Sequence, residues 1–346
     1  MANLLTSGAA SLGRLLSVNL LPTALSALAV WIFTVSGSFT GRSHWQALIP
    51  TALKADAGTV LLFVVGVVLV SVILEPFQIR LVRMLEGYWS NWTPSARLAN
   101  VMIARHQQRV QRLRETVRLP LAPREDVRSP LQVRMAARRR YSRQVAARQR
   151  AQDRLARYPF VEDDNLLPTA LGNALRSGER KAGERYGLDT IHSWPRILPQ
   201  ASPQLAGMAN SARDALDANA SLCLHFFFVG VLSLIALVDE PLTLWVPAGA
   251  FALSVVAYSG AIAAAVAYAR ILCVVYDLHR FDMVKGLHYK QPESWQEEKI
   301  LYDSLNTFFR RAEVTYESRR DIGGQVGQPY DHGTDKEDAD PNAGKP

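Results

Sequence analysis

The stretch Val60-Leu61-Leu62-Phe63-Val64-Val65-Gly66-Val67-Val68-Leu69-Val70-Ser71-Val72-Ile73-Leu74, followed by Glu75-Pro76 and then by Phe77-Gln78-Ile79-Arg80-Leu81-Val82-Arg83, decides the fold. No charge falls between Ala57 and Leu74, a run about as short as can cross a bilayer. After Pro76 the pattern changes. Phe77, Leu81, Met84, Leu85, Tyr88 and Trp92 follow helical spacing, with Arg80, Arg83 and Glu86 between them, as in a helix half in contact with water. One helix is therefore expected to leave the membrane here and continue along its surface.

Three further apolar runs extend the reading. Leu15 to Val35 is a first span, with Asn19 and Pro22 in its early turns; membrane helices tolerate such a proline where neighbours satisfy the freed carbonyl. Arg14 ahead of it gives it the look of a secretory signal, but the run is longer than a signal core and other spans follow, so it is read as uncleaved. Ala220 to Val238 is the third span, closed by Asp239-Glu240-Pro241, and Val246 to Val275 the fourth. On that last run Ala257, Ala261, Ala265 and Ala269 repeat at four-residue spacing, as do Ala252, Val256, Gly260 and Ala264. Small residues allow close helix approach in lipid.

The expected fold class is therefore all-α: a polytopic membrane protein with four transmembrane helices and a helical, Arg-rich cytoplasmic domain. Residues 1–76 form a transmembrane hairpin with spans at about 15–35 and 58–75. Residues 77–158 are basic helices including a helical hairpin, and 159–219 a region of loops and helix. Residues 220–290 form a second transmembrane hairpin, with spans at about 220–238 and 247–270 and a helical extension. An amphipathic helix follows over 291–320, and 321–346 is a disordered acidic tail. Trp45, in the polar connection from Ser36 to Asp56, reads as an interfacial anchor.

Within the soluble part, long helices are expected at Ala96–Arg118 and Leu131–Tyr158, separated by Pro120, Pro123 and Pro130, which no helix runs through. Their stripes, Leu98, Met102, Val110, Leu113 and Val117 against Leu131, Met135, Tyr141, Val145 and Leu155, can cover each other as an antiparallel hairpin. Pro168 and Thr169 open a helix that Gly187 ends, Trp194-Pro195-Arg196 reads as rigid irregular chain, and a long helix begins near Pro203. Ser294 with Glu297 is a capping-box pattern that starts a last helix running to about Tyr316.

The 346 residues carry a formal charge of +8, and the excess is concentrated between Arg80 and Arg213. Arg138, Arg139 and Arg140 are consecutive, Arg143, Arg148, Arg150, Arg154 and Arg157 follow, and no acidic residue lies between Arg128 and Gln152. Lys and Arg also gather beside the spans on one side only: Arg80, Arg83 and Arg97 after the second, Arg213 before the third, and Arg270, Arg280, Lys285 and Lys290 after the fourth. The other side has Arg42, Lys54, Asp239 and Glu240. By the positive-inside rule both termini and the basic domain are cytoplasmic.

At Leu167-Pro168-Thr169-Ala170-Leu171-Gly172-Asn173-Ala174-Leu175-Arg176, followed by Glu184-Arg185-Tyr186-Gly187-Leu188-Asp189 and Trp194-Pro195-Arg196, the chain resembles an uncharacterised family of bacterial multi-span membrane proteins. Glu75 to Trp89 resembles that family's second-span exit. The resemblance implies a place in the membrane and no activity.

Two sets of residues are candidates for function. Glu75, His225 and Arg270 are ionisable groups at span ends, where such groups mark ion or proton paths, although a Glu75–Arg270 pair and a packing hydrogen bond from His225 would make all three structural. Arg138, Arg139, Arg140 and Arg143 are the candidate contact with anionic lipid headgroups, which attract basic segments near a membrane, or with an acidic protein partner. Nucleic acid is a weaker partner, since phosphate needs only charge but the helices lack aromatic interleaving and any reader module. A merely solvated face is the plain alternative. The functional expectation is a membrane scaffold or sensor with a basic arm. The alternative is a small channel or pore-forming effector, a homo-oligomer assembled through the small faces of the fourth helix.

Enzyme chemistry finds no footing. Cys223 and Cys273 make no Cys-x-x-Cys metal site, His279 and His288 lack a His-Glu-x-x-His spacing, and no Gly loop ends in Lys-Ser or Lys-Thr. No metal or cofactor is called for. Asp163, Asp164, Asp189 and His192 form the one loop cluster that can be drawn as a site.

Overall fold

The structure is a computed structural model describing residues 20–89, 93–121, 130–159 and 166–310. All regular structure among them is helical: α1 Leu21–Val35, α2 Leu48–Lys54, α3 Ala57–Glu86, α4 Thr93–Arg118, α5 Leu131–Leu155, α6 Ala170–Lys181, α7 Thr190–Ile197, α8 Pro203–Ala236, α9 Trp245–Gly286 and α10 Trp295–Arg310. Three helical stretches, Ala57–Leu74, Pro203–Ala236 and Pro241–Gly286, are long and apolar enough to cross a membrane. The chain is thus an all-helical protein of membrane type. Its helices divide into two compact units, residues 1–177 with 210–268 and residues 178–209 with 269–346.

In the first unit α3 is the single helix its sequence announces. Asp56 caps it, accepting from the Thr59 amide at 3.0 Å, and it runs through Pro76 to Glu86. Gly87 ends it with φ 95°. There the Gly87 and Tyr88 amides donate to the Met84 and Arg83 carbonyls at 3.1 and 3.0 Å, a left-handed cap that releases the chain toward α4. Within the apolar run only Val67 and Ser71 are buried, while Leu61, Leu62, Val72 and Ile73 are each at least 60% exposed. A helix apolar all round but covered along one stripe presents the rest to lipid.

α1 packs on α3, and Phe33 of α1 sits with Ala236 and Leu237 at the far end of α8. With 15 residues α1 is roughly 22 Å long, short of a ~30 Å hydrocarbon core. The earlier part of that apolar run lies outside the described residues.

Val82 of α3, Leu171 and Ala174 of α6, Leu216 and Ala220 of α8, and Ala261 and Ala265 of α9 form one core cluster. Glycine permits the closest approach: a Cβ on Gly172 would lie 1.9 Å from the Glu86 carbonyl oxygen. Of the two small-residue faces on α9, the one bearing Ala257, Ala261 and Ala265 is buried, while Ala252 and Val256 of the other are exposed. Ser254 on α9 donates to the Cys223 carbonyl of α8 at 2.8 Å, a polar tie of the kind that joins helices in lipid.

α9 has 42 residues, so it is about 60 Å long, twice a hydrocarbon core. The part from Ala269 onward belongs to the second unit, where Leu272, Val275, Tyr276, Met283 and Val284 are buried with α7 and α10. The apolar run that reads as one span therefore also supplies the core of a helical domain. The sequence expectation fails at two points here. The helix opened by Pro168 and Thr169 stops at Lys181, not at Gly187; Gly187 instead closes a 3-10 turn over Glu184–Tyr186 with φ 86°. Trp194-Pro195-Arg196 is not irregular chain but lies in α7, because Asp189 caps that helix by accepting from the Ile191 and His192 amides.

The capping box holds in altered form: the Glu297 amide donates to Ser294 Oγ at 3.2 Å, while its carboxylate reaches the Glu293 amide at 2.8 Å rather than that of Ser294. α10 is described to Arg310; the rest of the expected helix and the acidic tail lie outside the described residues.

Candidate functional site: the arginine arm and the polar clusters

α4 and α5 pack as the expected hairpin, with its core at one end. Val110, Tyr158 and Leu166 are buried together, with Ile103, Leu113 and Leu155 against them. His106 completes this base. It is 8% exposed, its Nδ1 lies 3.0 Å from the Tyr158 hydroxyl, and its ring also bonds the Pro168 carbonyl. Burial, with Arg109 nearby, holds its pKa below the ordinary imidazole value despite the Pro168 bond.

Away from the base the hairpin is open. Between Leu131 and Arg150 no residue of α5 is buried, and the first to be so is Ala151. Leu131 and Met135, expected in the hairpin stripe, are instead 70% and 50% exposed, and Val133 is 55% exposed. Of the half-buried residues, Arg134, Ala137, Tyr141, Val145 and Arg148 share one side of the helix. Across from them, Gln132, Met135, Ala136, Arg139, Arg140 and Arg143 line a recess of about 400 Å3. Of the four arginines singled out in the sequence, three meet in this recess. Arg138 is not among its lining; it is exposed, and its carbonyl accepts from Ser142 Oγ at 2.9 Å.

Three guanidiniums within two turns of one helix, with no carboxylate between Arg128 and Gln152, offer a set of donors suited to a multiply charged oxygen anion. Met135 and Ala136 give the same recess an apolar wall.

Of the three ionisable groups at the span ends, His225 and Arg270 have described side chains. His225 on α8 donates from Nδ1 to the Ser221 carbonyl at 2.8 Å, the local bond of a packed membrane helix. Arg270 is exposed on α9. Glu75 falls within α3, and its side chain lies outside the described residues, as does any pairing with Arg270.

In the second unit, Asp189 and His192 do meet, with His192 Nδ1 3.0 Å from Asp189 Oδ2; Asp163 and Asp164 lie outside the described residues. Asp189 is occupied structurally. Besides capping α7 it takes two bonds on Oδ2 from Arg310 of α10, at 2.9 and 2.7 Å, while Asn306 accepts from its amide at 2.7 Å. Burial raises the Asp189 pKa, but the bonds from Arg310 and His192 outweigh it and hold the carboxyl below its ordinary value.

Tyr276 is fully buried, donates to the Thr190 carbonyl at 2.9 Å and lies 2.8 Å from Ser193 Oγ. Arg280 pairs with Glu298 at 3.0 Å and lies 4.2 Å above the Tyr186 ring. Burial and the Glu298 carboxylate beside it push the Tyr302 hydroxyl well above its usual range. These are the fastenings of a helical domain. Among the described residues no group of three His, Cys, Asp or Glu side chains is placed to hold a metal ion, and both cysteines are free thiols.

Comparison with protein-family models, with curated proteins and with solved structures returned no match.

Proposed function

We propose that this chain is a scaffold or sensor of a bacterial inner membrane, with four spans and both termini in the cytoplasm. Its basic helical arm engages anionic lipid or an acidic protein partner. The fourth span is α1 together with the residues before it, and the kinship carried by Leu167–Arg176 and Trp194-Pro195-Arg196 belongs to the same reading.

The observation that supports it most is the recess of Arg139, Arg140 and Arg143 on a helix with no fully buried residue over its first 20 positions. A helix that served only to pack would bury those turns, and a merely solvated face would carry carboxylates among its arginines. The charge distribution beside the spans supports the sidedness. The arm is tethered by α3 before it and α8 after it, which keeps it within reach of the inner leaflet.

The test is trypsin cleavage of the full-length protein in lipid nanodiscs. Cleavage at Arg138–Arg143 should be slowed when a third of the lipid is anionic and restored by high salt, because screening weakens exposed charge contacts. Cleavage indifferent to lipid charge would contradict the lipid contact and leave the acidic protein as the partner to find.

A further inference from the structure

The recess on α5 has a composition that selects among anions. Three guanidiniums and the Gln132 amide are all donors toward an oxyanion, while Met135 and Ala136 line the same space and Leu131 and Val133 stand exposed beside it. All six lining residues stand on one face of α5, so the recess is an open surface that offers charge and apolar contact side by side.

We propose that this recess is a binding site for the headgroup of an anionic glycerophospholipid, with Leu131, Val133 and Met135 dipping into the boundary between headgroups and acyl chains. Resting on the reading of the arm as a membrane-facing element, it goes beyond that reading in naming the ligand, the residues and the depth. Arg139 and Arg143, one turn apart, grip the phosphate, Arg140 closes the side next to Val133, and Gln132 donates to the glycerol oxygens. A soluble anion would fill the charged part and leave the apolar edge in water. A lipid satisfies both, since interfacial helices are held jointly by charge and by apolar area buried at the acyl boundary. Nucleic acid fits less well: it binds such helices through stacking on aromatic rings as well as charge, and Tyr141, the arm's aromatic ring, lies half-buried on the opposite side.

The experiment uses the full chain with Cys223→Ser and Cys273→Ser, carrying a single environment-sensitive fluorophore at Leu131→Cys or, as reference, at Gln111→Cys on the exposed side of α4. The protein is reconstituted in vesicles of phosphatidylcholine with or without about a third phosphatidylglycerol. The label at residue 131 should shift to the blue by about 10 nm, as expected for entry into the headgroup layer, only in anionic vesicles, and the label at residue 111 should not move. Arg139→Gln with Arg140→Gln and Arg143→Gln should abolish the shift, while Arg138→Gln should leave it.

A shift equal in neutral vesicles, or one surviving the triple substitution, overturns the site. Loss of the shift on adding inorganic phosphate at constant ionic strength would assign the recess to a soluble anion, and loss on adding a short DNA duplex would assign it to nucleic acid; either overturns the proposal. Because purified vesicles make no demand on orientation in the cell, these failures are separable from a failure of the topology.

Discussion

Nδ1 of His106 lies 3.0 Å from the hydroxyl of Tyr158, 52 residues further along the chain, and this bond closes the base of the arginine hairpin. Burial, with Arg109 nearby, opposes protonation of His106 and favours the neutral imidazole in the closed hairpin.

A pH dependence follows. The folded pKa is depressed, so above about 6.5, the ordinary imidazole value, neither state holds the proton and the full contribution is present. As pH falls below that value the unfolded chain binds the proton first, and stability is lost until the folded pKa is passed. Protection factors for amide exchange in α4 and α5, corrected for the intrinsic base-catalysed rate, should be lower at pH 5.5 than at pH 7.5, and His106→Gln should flatten that dependence. His106→Ala should destabilise the hairpin by about 1–3 kcal/mol, since it strands buried polar groups.

The clamp of Asp189 and Arg310 in the second unit titrates elsewhere. A carboxyl with a depressed folded pKa contributes fully above its unfolded value of about 3.9 and loses the contribution as pH falls through the folded one. Acidification from pH 7 to 5 should thus loosen the hairpin and leave the second unit intact. Asp189→Ala removes a helix cap and should cost about 1–2 kcal/mol, more than Arg310→Ala, whose side chain is 61% exposed and whose loss leaves the cap in place. Thermal unfolding of the two variants in one detergent checks the order.

Gly172 gives a steric prediction. A Cβ there meets the Glu86 carbonyl oxygen at 1.9 Å, and backbone cannot swing aside as a side chain can. Gly172→Ala should separate α6 from the end of α3 and lose more than about 2 kcal/mol. Gly207→Ala, in open space on α8, should be tolerated. The yield of monodisperse protein on gel filtration distinguishes them.

These sites differ in how far the sequence reveals them. The exit of α3 is legible because charge is absent up to Leu74 and then returns at helical spacing, both local signals. Asp189 and His192 stand three apart and were drawn together from sequence, but the partner that turns them into a clamp, Arg310, lies 121 residues on. His106 was missed for the same reason. A lone histidine in an arginine-rich helix has nothing beside it in sequence to mark it, and burial, which defines its state, comes from Tyr158 and Pro168. Spacing alone puts Leu131 and Met135 in the hairpin stripe. Spacing reports which residues share a face and not where the partner helix stops covering it, so their exposure, which makes the recess amphipathic, emerges only in three dimensions. Trp194-Pro195-Arg196 reads as a break because of its proline, although the Asp189 cap starts a short helix that carries it.

The account stands on the arm facing the cytoplasm. The most direct measurement is labelling of Gln111→Cys, in the full chain lacking Cys223 and Cys273, by a membrane-impermeant maleimide in bacterial cells before and after the inner membrane is opened. The account predicts labelling only after opening. Labelling in intact cells would place the arginine arm outside and contradict both the four-span plan and the contact with the inner leaflet.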